Sequence, residues 1–151
     1  MNIDRTTLIE KFHEYGRPRP DWLVGGEFER AMVRPDGAPI GYAEPFGVRW
    51  VLEEMAKDER WKPKFEGDHL IALHKSNGAN ITLEPGGQVE LSGAPHRTLS
   101  ALAEEMQANR EDLLRIVKGQ NQVWIAAGLT PITPIETIPW VPKGRYEIMK
   151  R

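Results

Sequence analysis

Two carboxylates six residues apart are the first candidates for chemistry in this chain. Glu84 precedes a Pro-Gly-Gly sequence and Glu90 follows it, with apolar residues alternating on both sides. Alternation with a period of two predicts a half-buried strand pair, and proline followed by glycine is typical of a tight turn. A three-residue loop, Pro85–Gly87, pairs Glu84 with Gln88 and keeps each face of the hairpin uniform. Both glutamates then lie on one polar face, which either carries chemistry or is simply exposed to solvent.

A second acidic pair occurs earlier, in the strand-like run from Trp22 to Val33. Glu27 and Glu29 are two residues apart, so their side chains point to the same side of a strand, roughly 7 Å apart. Phe28 and Met32 then point to the other side, into a core. The alternative interpretation of this pair is an edge strand whose charges prevent aggregation.

Four carboxylates gathered around one cavity would repel one another. Some of them must then be protonated, or divalent cations must lie between them. Oxygen ligands suit Mg²⁺ or Mn²⁺. The chain has no cysteine that could bind a softer metal or act as a thiol nucleophile.

The rest of the sequence predicts the elements that would position these acids. The first helix should begin with a capping box at Thr7 and bury Leu8, Ile9 and Phe12. Periodicity and turn residues predict helices at about 7–15, 45–57 and 98–118, strands at about 22–33, 70–75, 81–84, 88–92 and 122–127, and an irregular loop at 130–144. We therefore predict an α+β fold, an antiparallel sheet with helices packed on one face. The acids occupy the other face.

Length and charge restrict the possible partners. A chain of 151 residues is predicted to form a single domain over residues 1–151. A formal net charge of −2 argues against binding to nucleic acid or to an anionic membrane. The first residues lack a signal-peptide pattern and there is no long apolar run, so we expect a cytoplasmic protein.

Three motifs in this order resemble the N-terminal part of glutamate–cysteine ligase, of the plant and proteobacterial type. They are Gly-Glu-Phe-Glu at 26–29, the Glu-Pro-Gly-Gly segment at 81–95, and Pro-Lys-Gly-Arg-Tyr-Glu-Ile-Met at 142–149. The likeness extends from about Val24 to the last residue. The long second motif together with the third is far more specific than a lone Glu-x-Glu.

The resemblance implies an ATP-dependent ligase. Such enzymes join the side-chain carboxylate of glutamate to the amine of cysteine through an acyl phosphate, the first step of glutathione synthesis. Mg²⁺ or Mn²⁺ neutralises the phosphate charge, and the sheet curls around the active site as in glutamine-synthetase-like carboxylate–amine ligases. Family members are much longer than this chain. We therefore expect it to be an N-terminal segment that needs the remainder of the ligase chain and is inactive alone.

The resemblance also implies roles for individual residues. Arg145 and Lys143 would bind ATP phosphate or a substrate carboxylate, with Arg145 also catalytic; a surface arginine is the plain alternative. Gln88 and Ser92 share the polar face and are expected to contact substrate. The expected metal ligands are the four glutamates, of which the second pair is also assigned to catalysis: Glu27, Glu29, Glu84 and Glu90.

Two other functions remain open at the level of sequence. A related carboxylate–amine ligase would use another amine in place of cysteine. A non-catalytic fragment would bind metal or a ligase partner.

Overall fold

The computed structural model describes residues 4–128, 130 and 132–150. Six strands form one antiparallel sheet in the order β2-β3-β4-β5-β1-β6. The strands are β1 Glu27–Val33, β2 Lys62–Glu66, β3 His69–His74, β4 Asn80–Glu84, β5 Gln88–Ser92 and β6 Val123–Ile125. The helices are α1 Arg5–Tyr15, α2 Val48–Met55, α3 Leu99–Ile116 and α4 Gly144–Met149. The α+β class and the antiparallel sheet are confirmed.

The hydrophobic core lies between one face of the sheet and helices α2 and α3. Alternation along the strands sends every second side chain to this face, where the apolar ones pack against the helices. Its main members are Leu73, Ile81, Leu83, Val89 and Leu91 from the sheet, the predicted stripe Val48, Val51, Leu52 and Met55 of α2, and Leu113 of α3. The opposite face carries the polar residues of the same strands, together with the buried Ala31 and Ala72.

The hairpin between β4 and β5 has the predicted register. Glu84 pairs with Gln88, and Thr82 pairs with Glu90. The loop can turn because its two glycines, Gly86 and Gly87, have φ angles of 89° and 72°. Residues other than glycine adopt such positive φ angles only at a cost in free energy. Period-two patterning and turn chemistry thus place both glutamates on the polar face, as expected.

Strand β1 lies between β5 and β6 and begins at Glu27, later than the predicted run. Phe28 and Met32 point toward the core, and Met32 is only 1% exposed. This part of the prediction is confirmed. Glu27 and Glu29 point to the opposite face, where they join the acids of the β4–β5 hairpin.

Helix α1 differs from its prediction in both its start and its packing. It begins at Arg5 because Asp4, rather than Thr7, caps it: an Asp4 carboxylate oxygen accepts the Thr7 backbone N–H at 2.8 Å. None of its residues is buried, and Phe12 is 82% exposed. The prediction that Leu8, Ile9 and Phe12 form a buried side is wrong, so "helices packed on one face" holds for α2 and α3 but not for α1.

Three further elements depart from the sequence-based expectation. Strand β2 was not predicted, because all five of its residues are exposed and three are charged. Helix α4 begins at Gly144, where the predicted loop ends, and the sequence analysis assigned no element to this part of the chain. Strand β6 is a three-residue edge strand and is only partly buried, so the expected longer buried strand is wrong.

None of the helices in the described ranges has the length and apolar composition needed to cross a membrane.

Candidate functional site

Glu29 and Glu90 lie directly opposite each other on β1 and β5. The backbone N–H of Gly93 donates to the carbonyl of Gly26 at 2.8 Å, which makes that pair a hydrogen-bonded one. Since hydrogen-bonded and non-hydrogen-bonded pairs alternate along an antiparallel ladder, Glu29 and Glu90 form a non-hydrogen-bonded pair. The Cα atoms in such a pair are about 4.5 Å apart, and their side chains are correspondingly close.

Glu27 and Ser92 form the next pair on the same face, two residues further along each strand. They are cross-strand partners, and the Ser92 hydroxyl donates to a carboxylate oxygen of Glu90 at 2.5 Å. Glu27 and Glu29 are exposed, whereas Glu90 and Ser92 are half-buried. We call these four residues, Glu27, Glu29, Glu90 and Ser92, the acidic patch.

Glu84 lies on the same face but in a different setting. Arg145 Nη2 donates to its two carboxylate oxygens at 3.0 and 3.2 Å, and the Tyr146 hydroxyl lies 2.8 Å from one of them. Its charge is therefore balanced by a cation from α4. The structure places all four predicted metal ligands on one face, where Glu27 and Glu84 are both diagonal neighbours of Glu90. Glu84 differs in being paired with Arg145.

Lys143 belongs to the Glu84 cluster, which we define as Glu84, Lys143, Arg145 and Tyr146. Lys143 is 7% exposed. Its ammonium group donates to the carbonyl of Leu83 and lies 3.9 Å from a Glu84 carboxylate oxygen. Burial lowers the pKa of Lys143, and the Glu84 carboxylate opposes that shift. Lys143 thus supports the end of β4 from inside, rather than facing an open cavity.

Arg145 and Tyr146 complete this cluster and differ in exposure. The Arg145 side chain is 61% exposed, whereas Tyr146 is 1% exposed and its hydroxyl also lies 3.0 Å from the Leu83 carbonyl. Burial raises the pKa of Tyr146. Sequence reasoning assigned no role to Tyr146, although it belongs to the Lys-Gly-Arg-Tyr motif. Its position beside two predicted site residues was the available signal.

Gln88 lies between the two groups of acids. It is the cross-strand partner of Glu84 on one side and of Ala31 on the other. Its amide Nε2 donates to the carbonyl of Ala127 at 3.3 Å, which directs the side chain toward the segment after β6. The two predicted substrate contacts, Gln88 and Ser92, therefore share the polar face but have different immediate partners.

The acidic patch offers only oxygen donors, the ligand type that Mg²⁺ prefers. Within the described ranges, no three His, Cys, Asp or Glu side chains lie close enough to form a metal site by themselves. Mg²⁺ is commonly bound by one or two carboxylates together with water and substrate phosphates. The Glu29–Glu90 pair fits that kind of site and does not form an all-protein cage.

Comparison with known proteins gives the family. The sequence pattern of glutamate-cysteine ligase family 2 matches residues 23–151, most of the chain. The chain belongs to this family. The resemblance carried by the three motifs is thereby confirmed.

Curated relatives agree with this membership. Glutamate–cysteine ligases described as chloroplastic match from Medicago truncatula (31% identity over 99% of this chain), rice (ligase A, 33% over 89%) and Arabidopsis thaliana (37% over 98%). The chain spans only 29%, 27% and 28% of these relatives. The similarity is thus to one segment of a longer ligase.

The names of these relatives contradict one expectation. We predicted a cytoplasmic protein, but these ligases of the family are named as chloroplastic. The prediction is wrong because it used only the missing signal-peptide pattern and the missing apolar run. Those features argue against export and membrane insertion, and neither separates the cytoplasm from an organelle.

Proposed function

We propose that residues 1–151 form one domain, the N-terminal segment of a longer glutamate–cysteine ligase. The whole enzyme would join the side-chain carboxylate of glutamate to the amine of cysteine at the expense of ATP. Family membership over residues 23–151 and the partial coverage of the relatives support this proposal. The finer architecture, a glutamine-synthetase-like sheet that curls around the active site, is part of the same proposal.

The observation that carries the proposal is the direct opposition of Glu29 and Glu90. Like charges placed directly across a strand pair destabilise a sheet. A divalent cation held between the carboxylates removes that repulsion. Glu27, two residues along the same face, would provide a further oxygen ligand or bind a water molecule of the ion.

The reaction requires such a site because a carboxylate is a poor electrophile. ATP would convert the glutamate side chain to an acyl phosphate, and the cysteine amine would then displace phosphate. Bound Mg²⁺ or Mn²⁺ supplies charge neutralisation around the phosphates. The acidic patch would hold the ion, and Gln88 and Ser92 would bind substrate polar groups on the same face.

We assign the Glu84 cluster to the binding of anionic groups. All hydrogen bonds of Arg145 with Glu84 and Tyr146 use Nη2, and the side chain is largely exposed. The rest of its guanidinium fork can therefore bind a phosphate or a substrate carboxylate. Glu84 and Lys143 would act as positioning residues, since each holds a neighbouring group in place and Lys143 is buried.

The test is expression of the whole reading frame that encodes these residues, followed by assay of ATP-dependent γ-glutamylcysteine formation. Glu90→Gln keeps the shape of the side chain and removes the charge. We expect it to reduce turnover by about 100-fold or more, as loss of a charge-stabilising group in a site commonly does. Glu104→Gln, an exposed position on α3, is the matched control and should retain activity.

Each other outcome would contradict a stated part of the proposal. Equal turnover by Glu90→Gln and Glu104→Gln would remove the acidic patch from the mechanism. A reading frame that stops at Arg151 would contradict the proposed longer ligase. Robust turnover by residues 1–151 alone would show that the remainder of a ligase chain is not needed.

A further inference from the structure

A pocket of about 390 Å³ lies between β1, β6 and α3, on the face of the sheet opposite the acidic patch. Its walls are mainly apolar, and two arginines reach it. The principal lining residues are Phe28, Leu113, Leu114 and Trp124, with Arg30 and Arg110 as the charged groups. Nothing in the proposed ligase mechanism uses this pocket.

Arg30 is a buried cation whose charge has no acidic partner among the described residues. The residue is 5% exposed, and its Nη1 donates to the side-chain oxygen of Asn109 at 2.9 Å. Its guanidinium lies 4.5 Å from the centre of the Phe28 ring. In the part of the chain that the structure describes, Nη2 is buried without a hydrogen-bond partner. A buried charge without an ionic partner is costly, so this donor calls for an acceptor.

The surroundings of Arg30 add more positive charge and more donors. Burial lowers the pKa of Arg30, and the nearby charge of Arg110 lowers it further. Trp124 Nε1 and Asn109 Nδ2 are also buried donors without partners among the described residues. Of these residues, Arg30, Arg110 and Trp124 line the pocket. Guanidinium groups and an indole N–H around one pocket are complementary to an oxyanion.

The size and walls of the pocket narrow the class of anion. A bare phosphate or sulfate would leave the apolar walls in contact with water. The volume lies within the range of small-molecule sites, which are mostly apolar with a few polar groups that fix orientation. A ligand that joins one carboxylate to an apolar body satisfies both the donors and the walls.

We propose that this pocket binds a monocarboxylate with an apolar body, its carboxylate on Arg30 and Arg110 and its body against Phe28, Leu113 and Leu114. A free small acid and a glutamate side chain from a polypeptide offer the same chemistry, so the experiment separates these sources. The pocket lies across the sheet from the acidic patch, so this proposal holds or fails independently of the ligase mechanism.

The test is a titration of the 151-residue chain followed by NMR of the Trp124 indole N–H and the Arg30 guanidinium. The probes are benzoate, hexanoate, the uncharged analogue benzyl alcohol, and a blocked apolar peptide with one glutamate. We expect saturable shifts with the acids and none with the alcohol at equal concentration. Tighter binding by the peptide than by both acids would identify a polypeptide carboxylate as the natural occupant.

A pair of arginine variants on α3 provides the matched control. Arg110 is exposed, so Arg110→Gln should preserve the fold while weakening benzoate binding at least about tenfold, or ~1.4 kcal/mol. Arg115→Gln removes another exposed arginine of α3, one paired with Asp112, and should leave the affinity unchanged.

Three results would overturn the proposal. The first is equal binding of benzoate by the Arg110→Gln and Arg115→Gln chains. The second is equal binding of benzyl alcohol and benzoate. The third is the absence of a saturable shift with any acid or the peptide at ~10 mM, a concentration that would occupy a weak site with a millimolar Kd.

Discussion

Glu29 on β1 and Glu90 on β5 face each other across neighbouring strands, on the side of the sheet opposite α2 and α3. An antiparallel pair that carried charge only for solubility would gain by alternating the signs across the strands. Here the two carboxylates are opposed, with Glu27 on the same side. The arrangement costs stability in the bare protein and favours a cation on that face.

Divalent cations should therefore stabilise this chain through Glu29 and Glu90. Saturating Mg²⁺ is expected to raise the melting temperature by a few degrees, since a domain of this size gains about 2–4 °C per kcal/mol. Glu90→Gln should melt higher than the unmodified chain in EDTA and lose most of the response to Mg²⁺. Calorimetry or circular dichroism measures both effects, and Glu104→Gln should respond as the unmodified chain does. A Mg²⁺ response that persists unchanged in Glu90→Gln would contradict the site.

Glu84 should contribute to stability more than to metal binding. Glu84→Gln weakens the acceptor that Arg145 and Tyr146 share, and we expect a loss of about 1–3 kcal/mol in the free energy of unfolding. Urea denaturation measures this loss. Glu147→Gln breaks only a surface ion pair with Lys150 on α4, and it should change stability by less than about 0.5 kcal/mol.

The same variant tests the role of Glu84 at the metal. Because Arg145 and Tyr146 already occupy the Glu84 carboxylate, Glu84→Gln should retain the increase in melting temperature with Mg²⁺. Loss of that increase would restore Glu84 as a metal ligand, the role that the resemblance implied.

The hairpin and its acids were predictable because local patterns determine them. The alternation favours the register that pairs Leu83 with Val89 and Glu84 with Gln88, because it keeps each face uniform, and two consecutive glycines mark the loop. Glu27 and Glu29 follow the same rule on β1. Period-two patterning assigned all four glutamates to one face, but it did not determine which of them would be close together.

Long-range contacts account for what the sequence did not reveal. The partner of Glu84 is Arg145, about sixty residues further along the chain, and no local pattern links them. Strand β2 is held by its pairing with β3 and carries no apolar alternation of its own. Phe12 on α1 fits a buried stripe by spacing alone, yet no element of the described chain covers it.

Lys143 should give the chain a measurable dependence of stability on pH. Its folded pKa is lowered below 10.5 by burial, so between the folded and unfolded values the unfolded chain binds more protons. The buried charge lowers the free energy of unfolding by its full amount below the folded pKa. This loss disappears as the pH rises toward 10.5, the pKa in the unfolded chain. The difference in unfolding free energy between the unmodified chain and Lys143→Met should therefore shift in favour of the unmodified chain as the pH rises.

Urea denaturation at about pH 7 and about pH 10 measures that shift. Lys118→Met is the control, because Lys118 is exposed at the end of α3 and its removal should give the same difference at both pH values. If the difference in unfolding free energy for Lys143→Met is also the same at both pH values, the Leu83 carbonyl and Glu84 fully compensate the buried ammonium.

Replacement by alanine should cost more stability at Gly87 than at Gly67, although both glycines have a left-handed backbone conformation. At Gly87, with φ of 72°, an added Cβ would lie 3.0 Å from the backbone carbonyl oxygen of Ile40. At Gly67, with φ of 56°, it would meet nothing within 4 Å. Both alanine variants incur the cost of the left-handed conformation, about 1–2 kcal/mol, but Gly87→Ala must also move backbone.

We therefore expect Gly87→Ala to lose at least about 1 kcal/mol more than Gly67→Ala in the free energy of unfolding, measured by urea denaturation. Because the loop sets the register of Glu84 and Glu90, the Mg²⁺ response should also weaken in Gly87→Ala and persist in Gly67→Ala. Equal losses in the two variants would show that the loop relaxes away from Ile40 at little cost, and that the register of the acids does not depend on this contact.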